Sequence, residues 1–367
     1  MKRRGKILKI TAIILSIIIV VPVLAFVAKR GVYVPILRAR NKIAAPGIDL
    51  MEAVEIGGIQ QVLYFRGRNI NNPVILFLHG GPGLPMMPFI HGYQYDLEHD
   101  FTVVNWDQRQ AGKTFLINNP DTIIETLSIE QMLADAHEVT QHIKQTLDKD
   151  KIIIIGFSWG SVLGTALVQT YPEDYSAYIG VGQIINVDEG ERVAHEKILE
   201  IARVSGNQND IVALEAFAPY PPPIGSPERQ EVIMDMWSYQ RKYKLPWGIG
   251  IPGLFIRYGL TTPYYTIGEL LQSVSANVSD YYSATLYNFV DEYNARNYGV
   301  NYEVPVYYIM GVDDWQTPYS VAKDFFAEIF APDKEFYSIP DAGHWTMFDD
   351  KAEFNRVLLE EIIQRIS

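Results

Sequence analysis

The sequence predicts an α/β fold, with a mainly parallel sheet wound by helices on both faces. A mostly helical cap is inserted into it, and one N-terminal transmembrane helix precedes it. Three observations carry this expectation. Short apolar runs alternate with helical or long loop segments from Pro73 to Val181, and the alternation resumes at Pro305. Between these, residues 184–303 lose the alternation and become rich in Tyr, Trp and Phe. Ahead of everything, Ile10–Ala28 holds no charged residue. The expected organisation is a basic tail (1–9), an anchor (10–28), a basic linker (29–48), a core formed by 49–183 and 304–367, and a cap (184–303).

As a helix, the uncharged run is about 29 Å long, roughly one hydrocarbon core. A cleaved signal peptide is the rival reading, since Val23-Leu24-Ala25 could pass for a cleavage site. The run is longer than a typical signal core and ends on Lys29-Arg30, which favours a retained single-pass anchor with membrane lipid as partner. Basic residues flank both ends, so the positive-inside rule nearly cancels. A basic tail before an apolar core is what export machinery reads, so the body is expected to be extracytoplasmic.

Residues 1–42 hold ten Lys/Arg and no acid, against 21 basic and 43 acidic residues downstream, a net of −22. Such a body repels nucleic acid, and no nucleic-acid partner is expected. With no cysteine, disulfides, thiol catalysis and zinc–thiolate sites are excluded. No cofactor or metal is expected.

In chain order, Met51–Ile56 and Ile59–Phe65 flank Gly57-Gly58, a hairpin pattern. Pro73–His79 is a buried strand that runs into His79-Gly80-Gly81-Pro82-Gly83. Phe101–Asp107 is another, and Ser128-Ile129-Glu130-Gln131 opens a helix as a capping box. Lys151–Thr170 is the centre of the pattern. Its isoleucine run leads into Gly156-Phe157-Ser158-Trp159-Gly160, and Val162, Leu163, Ala166 and Leu167 follow at helical spacing. Strand, sharp turn and helix around G-x-S-x-G is a nucleophile elbow, which holds the Ser158 hydroxyl above the sheet's carboxyl edge. Two fixed N–H groups are then needed for the oxyanion of acyl transfer, and Trp159 and Gly81 are positioned to give them.

A strand near Ala177–Val181 leads to a charged helical stretch, Val187–Val204, that begins the cap. The sheet resumes at Pro305–Met310, followed by Asp313 and Asp314; Pro318 is expected to start the next helix. Glu335–Ile339 is the last strand, and His344 stands in the loop behind it. Serine, then Asp313 or Asp314, then histidine is the chain order of an α/β-hydrolase triad. His344 would take the serine proton, with the aspartate fixing its tautomer. His91, His99, His137, His142 and His195 follow no such strand and are expected to pack or face solvent, while His79 anchors its loop.

These residues together resemble the proline iminopeptidase family: HGGPG at 79–83, WDQR at 106–109, GFSWGS at 156–161, the spacing of Gly311, Asp314 and Pro318, and Gly343-His344. The resemblance covers most of residues 50–366 and is loosest in the cap. It implies an α/β-hydrolase that releases N-terminal residues, often proline, from short peptides. It further implies Ser158, Asp314 and His344 as the triad, with Gly81 and Trp159 as oxyanion donors. Two positions depart from the family: Gln110 stands where a glycine usually follows WDQR, and Trp315 where some members hold a glutamate for the substrate amine. An amine partner must then come from elsewhere, and Glu189 or Glu191, in the stretch that begins the cap with Asp188, are the candidates. A small-molecule esterase or lipase-like hydrolase needs only an apolar acyl pocket and is the alternative. A non-catalytic binding module is a second alternative, and the complete serine, acid and histidine set argues against it.

Overall fold

The computed structural model describes residues 27–28, 30–243, 248–273 and 285–366. The basic tail and nearly all of the expected anchor at 10–28 lie outside this range, as do Trp247, Tyr281 and Tyr282 of the cap. Among the described residues, no helix is long and apolar enough to cross a membrane.

Eight strands form one sheet in the order β1-β2-β4-β3-β5-β6-β7-β8. They are β1 (Ile48–Ile56), β2 (Ile59–Gly67), β3 (Val74–Leu78), β4 (Thr102–Asp107), β5 (Ile152–Phe157), β6 (Tyr175–Val181), β7 (Val306–Gly311) and β8 (Lys334–Ile339). The β1–β2 and β2–β4 pairs are antiparallel, and the other pairs are parallel. Gly57 and Gly58 turn the β1–β2 hairpin with φ of 56° and 77°, a geometry that favours glycine at both positions.

β5 is central, with β3 and β6 on either side, and every one of its residues is buried. Its period of two sorts the isoleucines between two cores. Ile152 and Ile154 pack with the helices Ile129–Leu147 and Trp159–Thr170, while Ile153, Ile155 and Phe157 pack with the C-terminal helical segment. The Ile129–Leu147 helix is capped by Ser128, whose side chain accepts from the Gln131 N–H. The reciprocal half of the expected capping box is missing, because the Gln131 amide reaches instead to Asp135, 2.8 Å away. Asp135 also takes a buried bidentate pair from Arg109 at 2.7 and 2.9 Å, and a polar group there must be satisfied. Pro318 is the N-cap of Tyr319–Glu328, one position outside the helix it was expected to start.

Parallel register brings the carboxyl ends of neighbouring strands level. Leu78 faces Gly156, Phe157 faces Val181, and Gly311 faces Ile339. The loops that follow β3, β5, β6, β7 and β8 therefore meet at one edge, where ligands bind in open α/β sheets. Between β6 and β7 the chain is mostly helical, beginning with Val187–Ser205. It is pinned back to the core by the Tyr265 hydroxyl, which donates to Asp107, and by Lys113, 2.6 Å from Glu269.

Candidate active site

β5 ends at Phe157, and Ser158 adopts φ 53° and ψ −120°, a strained conformation for a residue with a side chain. The surroundings enforce it. The Ser158 N–H donates to Val181 O at 2.9 Å, and Ser158 O accepts from the Ser161 N–H and hydroxyl at 2.8 and 2.6 Å. A Cβ on Gly156 would lie 2.6 Å from Gly160 O, and one on Gly160 would lie 2.0 Å from Leu78 O. Only hydrogen at both positions lets the elbow fold this tightly.

Asp314 and His344 come from the loops after β7 and β8, and both are buried. Asp314 Oδ2 lies 2.9 Å from His344 Nδ1. The carboxylate is held from three further sides. Its Oδ1 accepts from the N–H groups of Gln316 and Thr317 at 3.0 and 2.9 Å, and its Oδ2 from the Thr317 hydroxyl at 2.8 Å. Asp313, the other sequence candidate, makes no contact of this kind with His344; its N–H donates to Ala342 O. Gly182 has φ of 54°, and a Cβ there would stand 3.0 Å from His344 Cε1 and 3.1 Å from Nδ1. Asp349 braces the histidine loop by accepting from the Gly343 N–H at 3.0 Å.

Gly81, Ser158 and His344 line one cavity of about 160 Å³. That is room for on the order of ten waters, or for one small substrate. Gly81 has φ of 122°, and a Cβ there would meet Gly83 N at 2.5 Å, so the turn after β3 demands glycine. Trp159 begins the helix behind Ser158, and its backbone N–H is one of the donors that helix leaves unsatisfied. Gln108 ties the two loops together. Its Oε1 accepts from Trp159 Nε1 at 3.0 Å, and its Nε2 donates to His79 O at 3.1 Å. The Gln108 N–H donates to His79 Nε2 at 3.2 Å, so the ring proton sits on Nδ1 and donates to Gly80 O at 2.8 Å. Burial lowers the His79 pKa to about 4, which keeps this bracket neutral.

The two acidic candidates of the cap part company. Glu189 faces Arg296 at 3.1 Å and is absent from the cavity wall, so the helix turns it away from Ser158. Glu191, two residues on, lines the cavity and is 9% exposed. Its Oε2 accepts from the Tyr220 hydroxyl and its Oε1 from Trp237 Nε1 at 3.1 Å. Burial raises its pKa above the ordinary carboxylate range, and these two hydrogen bonds oppose the rise. Asp291 also lines the cavity, but it is paired with Arg229 at 2.9 Å. Trp315 packs into the cap's own apolar cluster with Tyr220 and Ile233.

Thr317, Gly182, Asp349 and Tyr220 were not singled out from sequence as parts of the site, and Trp237 stood only among the cap aromatics expected to roof it. The Asp314-x-x-Thr317 spacing carries a local turn signal that could have revealed the threonine. Tyr220 and Trp237 lie 29 and 46 residues from Glu191 and have no such signal.

Comparison with known proteins agrees with this architecture. Residues 73–217 match the family described as the alpha/beta hydrolase fold. The probable aminopeptidase YbaC of Bacillus subtilis is 27% identical over 333 residues, covering 85% of this chain and 95% of that protein. The proline iminopeptidase of Neisseria gonorrhoeae is 31% identical over 121 residues, covering 33% of this chain and 36% of that protein. Among solved structures, a proline iminopeptidase-related protein from Thermus thermophilus matches with a TM-score of 0.61 at 17% identity, covering 86% of this chain and 98% of that one. At that identity the likeness speaks to the fold alone.

Proposed function

We propose that this chain, an α/β-hydrolase similar to proline iminopeptidases and a probable aminopeptidase, is a serine aminopeptidase releasing N-terminal residues from small peptides. The observation that carries the reading is Glu191, a buried carboxylate on the wall of the cavity that Ser158 and His344 also line. Among the described residues its hydrogen-bond donors, Tyr220 and Trp237, are both neutral. A substrate ammonium would give this buried carboxylate a cation in direct contact.

In this mechanism His344 Nε2 takes the Ser158 proton as Oγ attacks the scissile carbonyl. Asp314 accepts from Nδ1–H, fixes the tautomer and stabilises the imidazolium. The N–H groups of Gly81 and Trp159 receive the developing oxyanion. His344 then protonates the leaving amine, and water releases the acyl group by the same route in reverse. Glu191 holds the free α-amine, so its distance from Ser158 selects the first residue of a peptide. The apolar wall formed by Ile184, Ile185, Val187, Ile233 and Val290 accepts a small side chain such as that of proline. The same wall fits the acyl group of a small ester, which is the specific ground for the esterase reading.

The test compares kcat/KM for proline nitroanilide, its N-acetylated form and nitrophenyl butyrate. A free-amine preference of orders of magnitude supports the aminopeptidase. Equal turnover of the acetylated substrate with fast butyrate hydrolysis replaces it with the esterase. We also propose, from the uncharged run Ile10–Ala28, that the body is held at a membrane by a single span, on the extracytoplasmic side.

A further inference from the structure

Residues 27–28 and 30–40 are helical, starting where the uncharged run ends. This helix is tied to the cap. Arg30 donates from Nη1 to Leu260 O and from Nη2 to Tyr265 O, both at 2.6 Å, and Arg38 Nη2 donates to Pro263 O. It therefore lies along the segment joining the cap helices Gly250–Arg257 and Ile267–Ser273. Large apolar side chains are exposed on both partners. Val32 and Ile36 are 63% and 45% exposed on the helix, and Ile256 and Leu271 are 72% and 60% exposed on the cap. Arg40 and Arg257 are exposed on these elements and Lys42 is exposed just beyond the helix, in a chain whose remaining body is strongly acidic.

We propose that these faces form a bilayer-docking surface, on which Val32, Ile36, Ile256 and Leu271 enter the boundary between headgroups and acyl chains of a membrane containing anionic lipid. The proposal rests on the reading of Ile10–Ala28 as a retained anchor, and it adds where the body sits. An anchor ending at Ala28 fixes the start of the helix at the membrane surface. Eleven helical residues extend only about 16 Å, so what the helix touches stays within reach of the headgroups. Exposed apolar side chains with exposed Arg and Lys on or beside the same elements match an anionic interface in both polarity and charge. Two copies meeting through this face would instead bring their basic residues together. The consequence is that the cap, which carries Glu191, rests on the membrane.

The chain has no cysteine, so a single introduced one can be labelled uniquely. Full-length Ile256→Cys and Leu271→Cys, with Val204→Cys as an 85% exposed control, are each labelled with a fluorophore. They are reconstituted in vesicles of phosphatidylcholine and phosphatidylglycerol. The expected result is several-fold weaker quenching by aqueous iodide at 256 and 271 than at 204, together with quenching by bromine-labelled lipid at 256 and 271 alone. If carbonate-washed vesicles retain the protein but iodide reaches all three labels equally, the anchor stands and the docking surface is refuted. Labels shielded from iodide that lipid quenchers do not reach would mean that a second copy covers the face, which also refutes it. A chain released by carbonate overturns the anchor reading and the proposal with it.

Discussion

Replacing Glu191 with glutamine separates amine recognition from acyl chemistry. The substitution preserves volume, and the local bonds survive it. The amide oxygen can accept from Trp237 Nε1, and the amide NH₂ can donate to a reoriented Tyr220 hydroxyl. What is lost is the negative charge facing a substrate ammonium. A hydrogen bond to a charged group contributes about 1.5–3 kcal/mol, which is about 10- to 150-fold in kcat/KM. With Glu191 only 9% exposed, screening is slight and the loss should fall towards the upper end of that range. The assay is kcat/KM for proline nitroanilide and for its N-acetylated form, measured on both proteins. The free-amine substrate should lose this factor while the acetylated one is unchanged. Because burial raises the Glu191 pKa, the wild-type free-amine rate should fall on acidification from a higher pH than an ordinary carboxylate would give, and Glu191→Gln should lack that limb. An equal loss on both substrates, or none on either, would falsify the role assigned to Glu191.

Other substitutions test the remaining parts. Ser158→Ala should lower turnover by about 10³-fold or more with the fold intact, and a fluorophosphonate probe should no longer label it. Asp314→Asn should be about as damaging, because its Oδ2 faces His344 Nδ1, while Asp313→Asn should stay near wild type; the reverse pattern in steady-state rates would exchange their roles. Gly182→Ala should lower kcat by pushing against the His344 ring, whereas a distant Gly206→Ala control, with nothing within 4 Å of its Cβ, should leave kcat unchanged. His79 supplies a pH test: its folded pKa of about 4 lies below its ordinary 6.5, so the folded state binds fewer protons between these values. Its contribution is present above pH 6.5 and is lost as the pH falls towards 4, by about 2 kcal/mol between roughly pH 7.5 and 5. Asp107, raised to about 6 by burial, acts in the opposite sense below that pH, but equally in wild type and in His79→Gln. The difference in denaturant stability between the two proteins should therefore shift by this amount, and a constant difference across the range would count against a neutral His79 bracket.

The sequence by itself determined the order of the core, because a buried parallel strand announces itself locally. Isoleucine runs closed by glycine define β5 and its turn, and the hairpin at Gly57-Gly58 needs no distant information. The placement of Ser158, His344 and the Asp313-Asp314 pair at one sheet edge was legible for the same reason, since each follows the carboxyl end of a strand and motif spacing reports that position. The choice between neighbours was a different matter. Asp313 and Asp314 are adjacent in sequence, and only the turn that donates the N–H groups of Gln316 and Thr317 to Asp314 Oδ1 brings one carboxylate to the histidine. Glu189 and Glu191 lie on one short helical stretch, about 200° apart around its axis. The packing of that helix therefore sends one to Arg296 and the other into the cavity. The partners of Glu191, Tyr220 and Trp237, are far from it in the chain and have no periodicity linking them to it. Local pattern encodes strands, turns and the residues just beyond them; which side chains meet across a helical cap is fixed only when the cap packs.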